Sequence, residues 1–125
     1  MRVAVNGWFL IHHPHTGSGQ YLRALLEWLP RVAPEHEYHV VVPAARVPPT
    51  LAATAAAQGW RAVGVKAGDS NLAKVWFEQA SFPRAAGRLK AELAHVPYWG
   101  PPLRSPAPLV VTVHDLIPRL LPEYR

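Results

Sequence analysis

The sequence predicts an α/β domain: an open, wholly parallel sheet, doubly wound by helices on both faces, with strand order 3-2-1-4-5. Short β-branched runs alternate with helix-like segments, the pattern of parallel strands joined by crossover helices. The first such unit is the clearest. Residues 2–7 read as a buried strand ending on glycine, and Leu22, Leu25, Leu26 and Leu29 then repeat at the i, i+3, i+4, i+7 spacing of a helix face. Half of the 125 residues are hydrophobic and 17% are charged, which fits one packed core and excludes a disordered chain.

The remaining elements follow in order. Pro30 and Pro34 are expected to end the first helix, and residues 38–43 form a β-branched second strand. Residues 50–58 read as a helix, with Pro48 and Pro49 before it and Gly59 just past its end. A short third strand spans 61–65. Asp69, Ser70 and Asn71 are three candidate N-caps for a helix whose apolar positions are Leu72, Val75, Trp76 and Ala80. Pro83 is expected to start a separate helical piece capped by Ser81. Residues 93–96 give a fourth strand, the proline-rich 97–108 a loop, and 109–113 a buried fifth strand. No internal repeat or linker divides the chain, so residues 1–125 read as one domain.

Composition narrows the function classes. Without cysteine there is neither a disulfide nor a thiolate metal site, as suits a reducing cytoplasm. A formal charge of +5 favours anionic partners, but the basic residues are scattered, with only Arg84, Arg88 and Lys90 close together. That distribution argues against nucleic acid, whose footprint is a clustered basic stripe. No apolar run approaches the roughly 18 residues that span a bilayer. Residues 3–11 are interrupted by Asn6 and Gly7 and lack a cleavage site, so a cytoplasmic location is expected.

In a sheet of this order, ligands bind beyond the carboxyl ends of the strands where the order reverses. Three segments empty there. Thr16-Gly17-Ser18-Gly19-Gln20-Tyr21 opens a helix, and bare N–H groups in such a turn can hold a phosphate; equally, the glycines can serve a tight turn and close packing. Tyr98 and Trp99 follow strand four. His114 and Asp115 follow strand five: the histidine can titrate near neutral pH or bond a phosphate or sugar hydroxyl, and the carboxylate can orient it or cap the next turn. The plainer alternative is a strand-end histidine bonded to a neighbouring carbonyl. His12-His13-Pro14-His15 invites a metal, but Pro14 breaks any regular spacing and no carboxylate is near, so it reads as a solvated loop over the crevice with no metal site. Glu78 reads as a solvated helix residue, whereas Gln79 could reach the cleft. Trp76, Phe77 and Phe82 beside Lys74 and Arg84 read mainly as core, with an interfacial membrane patch as the alternative.

Three features in this order resemble the amino-terminal domain of glycosyltransferases with the GT-B fold (group 1, family 4 type), which include many bacterial mannosyl- and glucosyltransferases. They are residues 16–22 after the first strand, Glu78-Gln79 with Pro83 ahead of the strand at 92–97, and residues 111–118 with their His114-Asp115-Leu116 core. The resemblance implies two Rossmann-like domains, a nucleotide-sugar donor held mainly by the carboxyl-terminal one, and a sugar or lipid-linked acceptor held mainly by this one. Transfer would retain anomeric configuration and need neither metal nor cofactor. Gly17, Ser18 and Gly19 would face the donor diphosphate, and His114, supported by Asp115, would line the reacting sugar. His15, Gln79, Tyr98 and Trp99 would lie on the acceptor side. The chain up to Arg125 would then be a truncated amino-terminal domain, inactive without its carboxyl-terminal partner, working in the cytoplasm or at the inner membrane surface. Two other readings stand beside it: a stand-alone nucleotide- or partner-binding module, and a small hydrolase using His114 and Asp115.

Overall fold

The computed structural model describes residues 1–121 and 123; Pro122, Tyr124 and Arg125, where the expected truncation falls, lie outside the described residues. Five parallel strands form one open sheet in the order β3-β2-β1-β4-β5, a Rossmann-like doubly wound arrangement as the sequence predicts. Strand β1 (Arg2–Asn6) is central, flanked by β2 (Glu37–Val42) and β4 (Leu93–Val96); β3 (Arg61–Gly64) and β5 (Leu109–Val111) are the edges. A single helical turn, α1 (Trp8–Ile11), precedes α2 (Gly17–Val32), and α3 (Pro49–Gln58) joins β2 to β3.

Side chains alternate across each strand, so the sheet feeds two cores. Val3, Val5, Tyr38, Val40 and Val42 pack with Leu22 and Leu26 of α2, Ala55 of α3, and Trp60. On the other face Ala4, Val41, Ala94 and Val96 pack with Phe77, Phe82, Ala85 and Ala86. The run Val40-Val41-Val42 is fully buried, the expected signature of a strand covered on both sides.

Prolines were poorer stop signals than expected. Pro30 lies inside α2, which continues to Val32. Being two residues from the end, it forfeits only one intrahelical bond, the next turn still closes from Ala33 N–H to the Leu29 carbonyl, and its ring is buried. Pro83 lies in the first turn of a further α-helical segment as expected, but no break or side-chain cap sets that segment apart. Helix α4 (Asn71–Trp76) runs through a π-turn, Phe77–Ser81, straight into α5 (Phe82–Arg88), and Ser81 makes no side-chain cap. Within that turn the Phe82 N–H reaches back five residues to Phe77, and this wider turn accommodates the proline that follows. Of the three candidate caps, Ser70 is the one used: its Oγ accepts from Ala73 N–H at 3.1 Å.

Two apolar patterns are not core. Leu72, Val75 and Trp76 on α4 are 80%, 54% and 61% exposed, while Phe77 and Phe82, on the opposite side, are wholly buried. Strand β5 is shorter than expected and half exposed, with Val110 and Val113 open to solvent, because it is an edge that helices cover incompletely. The last link across to it is Thr112 N–H to the Val96 carbonyl. Beyond it, α6 (Ile117–Leu120) is a single turn.

Phe82→Ala is therefore expected to cost about 3–5 kcal/mol by emptying the α5 core. Leu72→Ala, at an equally apolar helix position, should change stability by less than about 0.5 kcal/mol. Urea midpoints of the two variants check this, and comparable losses would contradict the assignment of faces.

Candidate functional site

The strand order reverses between β1 and β4, the position beyond whose carboxyl ends open parallel sheets of this kind bind their ligands. Strand β1 ends on Asn6, whose amide is fully buried with both polar atoms bonded: Oδ1 accepts from Trp8 N–H at 2.9 Å and Nδ2 donates to the Tyr98 hydroxyl at 3.0 Å. A buried amide left unpaired would be costly, so this pair ties the end of β1 to the loop after β4.

The chain next turns through the histidine loop into α2. Thr16 is the N-cap, its Oγ1 accepting from Gly19 N–H at 3.3 Å, and its carbonyl accepts from Gln20 N–H. Gly17 and Ser18 thus carry the first two N–H groups of a sixteen-residue helix, the donors that helix geometry leaves without intrahelical partners. The two glycines answer to different demands. A Cβ on Gly19 would sit 2.5 Å from the Pro14 carbonyl oxygen, so Gly19 is required by packing. A Cβ on Gly17 would meet nothing within 4 Å, so internal packing makes no such demand there.

One turn on, the Tyr21 ring meets the His114 ring edge-on at 4.8 Å, and its hydroxyl lies 3.4 Å from Thr112 Oγ1. Thr112 in turn is 3.0 Å from His95 Nε2, so α2 and the ends of β4 and β5 are joined by a polar chain. His114 Nε2 lies 2.8 Å from the Pro97 carbonyl. A carbonyl only accepts, so Nε2 carries the proton and Nδ1 of the neutral ring is left as an acceptor. Asp115 does not support His114. Its Oδ1 accepts from Ile117 N–H at 3.1 Å, fixing the turn into α6, which is the capping alternative among its expected roles.

The expected acceptor-side residues are dispersed. Trp99 is 69% exposed, whereas Tyr98 is buried, and desolvation followed by the negative charge of Glu78 pushes its phenol far above its ordinary pKa. His15 lies on the other side of α2, in a groove of about 550 Å³ shared with Gln20, Arg23 and Thr54. Gln79 spends its amide on the loop after β4, with Nε2 on the Pro101 carbonyl and Oε1 on the Leu103 N–H. Glu78 is not solvated as expected: it is 6% exposed and paired with Lys74 at 2.8 Å, and the Lys74 ammonium also lies 4.8 Å from the Tyr98 ring centre. In the histidine loop, His12 stacks on Trp8 at 4.4 Å; burial lowers its pKa while Asp69 opposes the shift. Among the described residues no group of three or more His, Asp or Glu could hold a metal ion.

Asn6, Thr112, His95 and Lys74 were not among the expected site residues, and Tyr21 belonged to the expected phosphate loop without a contact of its own. The i, i+4 spacing of Lys74 and Glu78 was a readable signal. Tyr21 and Thr112 stand 91 residues apart and offered none. Comparison with protein-family models, curated proteins and solved structures finds no significant match for the chain.

Two outcomes follow. Gly19→Ala should lose about 1–3 kcal/mol by overpacking, whereas Gly17→Ala should be neutral or slightly stabilising; chemical denaturation separates them, and equal losses would contradict the packing argument. His95 and His12 are both held below the ordinary histidine pKa by burial. The unfolded chain then takes up protons first, so stability should fall as pH drops below about 6.5 and rise back towards neutral pH. Urea midpoints from about pH 5 to 8 test this. His95→Gln, which keeps a partner for Thr112, should flatten the profile; an unchanged slope would remove His95 as a cause.

Proposed function

We propose that this domain is the acceptor-side half of a retaining glycosyltransferase with the GT-B fold, moving a sugar from a nucleotide-sugar donor to an acceptor hydroxyl. The observation that carries the reading is convergence: the open N–H groups of Gly17 and Ser18, the Tyr21 ring and the oriented His114 ring all gather at the carboxyl end of the sheet, beside the reversal of strand order.

The chemistry follows from these groups. In the transfer, the bond from the anomeric carbon to the diphosphate oxygen breaks and a bond to the acceptor oxygen forms on the same face. The acceptor's proton and the nucleoside diphosphate leave. Negative charge grows on the diphosphate, and two N–H donors at the positive end of α2 would stabilise it where it develops. His114, with Nε2 committed to the Pro97 carbonyl, offers Nδ1 to a hydroxyl of the reacting sugar. The donor's nucleoside would be held by a second domain across the cleft. A lipid-linked acceptor is supported by the exposed stripe of Leu72, Val75 and Trp76, since the Arg84 guanidinium lies 5.7 Å from the Trp76 ring and supplies positive charge towards an anionic membrane surface.

The test uses the protein at its natural full length with a panel of nucleotide sugars, reading nucleoside diphosphate release that depends on added acceptor. His114→Ala should lower kcat by about 10²- to 10³-fold. Gly17→Pro is the sharper probe. Proline is tolerated at the first helical position, Thr16 already has the extended conformation that precedes proline (φ −71°, ψ 168°), and the change deletes one N–H. Donor KM should rise about 10-fold or more, the worth of a hydrogen bond to a charged group. Nucleoside diphosphate binding that is lost with Gly17→Pro, without turnover of any sugar, would replace this reading with the binding module.

A further inference from the structure

The π-turn places two adjacent polar residues against one loop, and neither contact is needed to close the helix. Glu78 lies under the loop. Its carboxylate, held by Lys74, presses so closely on Gly100 that a Cβ there would overlap it. Gln79 lies at the rim and grips the same loop twice, at Pro101 (3.0 Å) and Leu103 (2.8 Å). The loop is also fixed at its start, where the Tyr98 hydroxyl takes the Asn6 amide and Gly100 N–H bonds the Tyr98 carbonyl at 2.9 Å. Between these anchors stands Trp99, its indole 69% exposed at the end of the sheet. One residue before Tyr98, the Pro97 carbonyl takes the His114 Nε2 proton.

An exposed indole on a free loop would have to be ordered each time a ligand bound. With the backbone held on both sides, it offers a flat apolar face and leaves only the side-chain torsions to be ordered, which lowers that cost. A sugar ring presents a complementary face of C–H groups while its hydroxyls stay in water, so the ligand class that fits a solvent-facing indole on an anchored loop, two residues from the carbonyl that orients His114, is a carbohydrate. We infer that Gln79 is a positioning residue, holding residues 98–103 so that Trp99 stacks on a sugar ring of the acceptor next to His114. This rests on the glycosyltransferase reading and assigns Gln79 a different part from the direct acceptor contact expected of it.

The experiment separates the two. Steady-state kinetics of the full-length protein with octyl glycosides as acceptors are measured alongside amide hydrogen exchange at Leu103. Gln79→Ala should raise acceptor KM about 3- to 10-fold, the worth of an aromatic stacking contact, leave donor KM unchanged, and speed exchange at Leu103. Gln79→Glu keeps the acceptor for Leu103 N–H but loses the donor to Pro101, and should fall between. Trp99→Ala should match the KM change with exchange at Leu103 unaltered, and Trp99→Phe should recover part of it. Faster exchange with an unchanged acceptor KM would overturn the positioning role while leaving glycosyl transfer standing. Absence of turnover by the unaltered protein would remove both.

Discussion

The constraint on which the site depends is the buried amide of Asn6. It sits at the end of the central strand with no access to water, so both of its polar atoms must find partners within the protein. One partner is local, the N–H of Trp8, and starts the first helical turn; the other is the hydroxyl of Tyr98, 92 residues away, just after the neighbouring strand. A single side chain therefore sets how the loops leaving β1 and β4 part company.

Around it, the helices do two jobs at once. The inner face of α2 carries Leu22 and Leu26 into the core, while Tyr21, one turn from the helix start, reaches Thr112 and His114 beyond the end of β5. The α4 to α5 helix buries Phe77 and Phe82 and, through its π-turn, turns Glu78 and Gln79 onto the loop after β4. In each case apolar burial fixes the helix, and the polar residues inherit their positions from that packing.

The histidines show how much environment decides. His114 is solvent-facing, with its tautomer set by a carbonyl; His95, half-buried beside Thr112, has its pKa lowered by desolvation; His12 lies against an indole. Identical side chains thus differ in their partners and in which nitrogen is available. A cluster of imidazoles in sequence, as at His12, His13 and His15, becomes three separate surroundings once the loop folds, because Pro14 and the positive φ of 58° at His13 turn the chain.

Most of the sheet was legible in local sequence pattern, with the edge strand β5 the exception. The amphipathic face of α2, the helix expected at 50–58 with its left-handed Gly59 and the loop at 97–108 follow from periodicity and turn chemistry, which act over a few residues, and the strand order follows from the alternation of strands with helices. The sequence also drew attention to His114, Gly17 and Gln79. Local rules failed where long-range packing had the larger energy: Pro30 was carried inside a helix whose ring site is buried, and Pro83 was absorbed by a π-turn held by the aromatic core. Which apolar stripe faces inward on α4, whether Glu78 is solvated, whether Asp115 serves His114 or the turn after it, and whether each glycine answers to space or leaves a face open depended on neighbours distant in the chain. Only the tertiary structure decided those, because a side chain's role is set by the groups that desolvate it and bond it, and for Asn6, Tyr21, Glu78 and His114 these come largely from other elements of the fold.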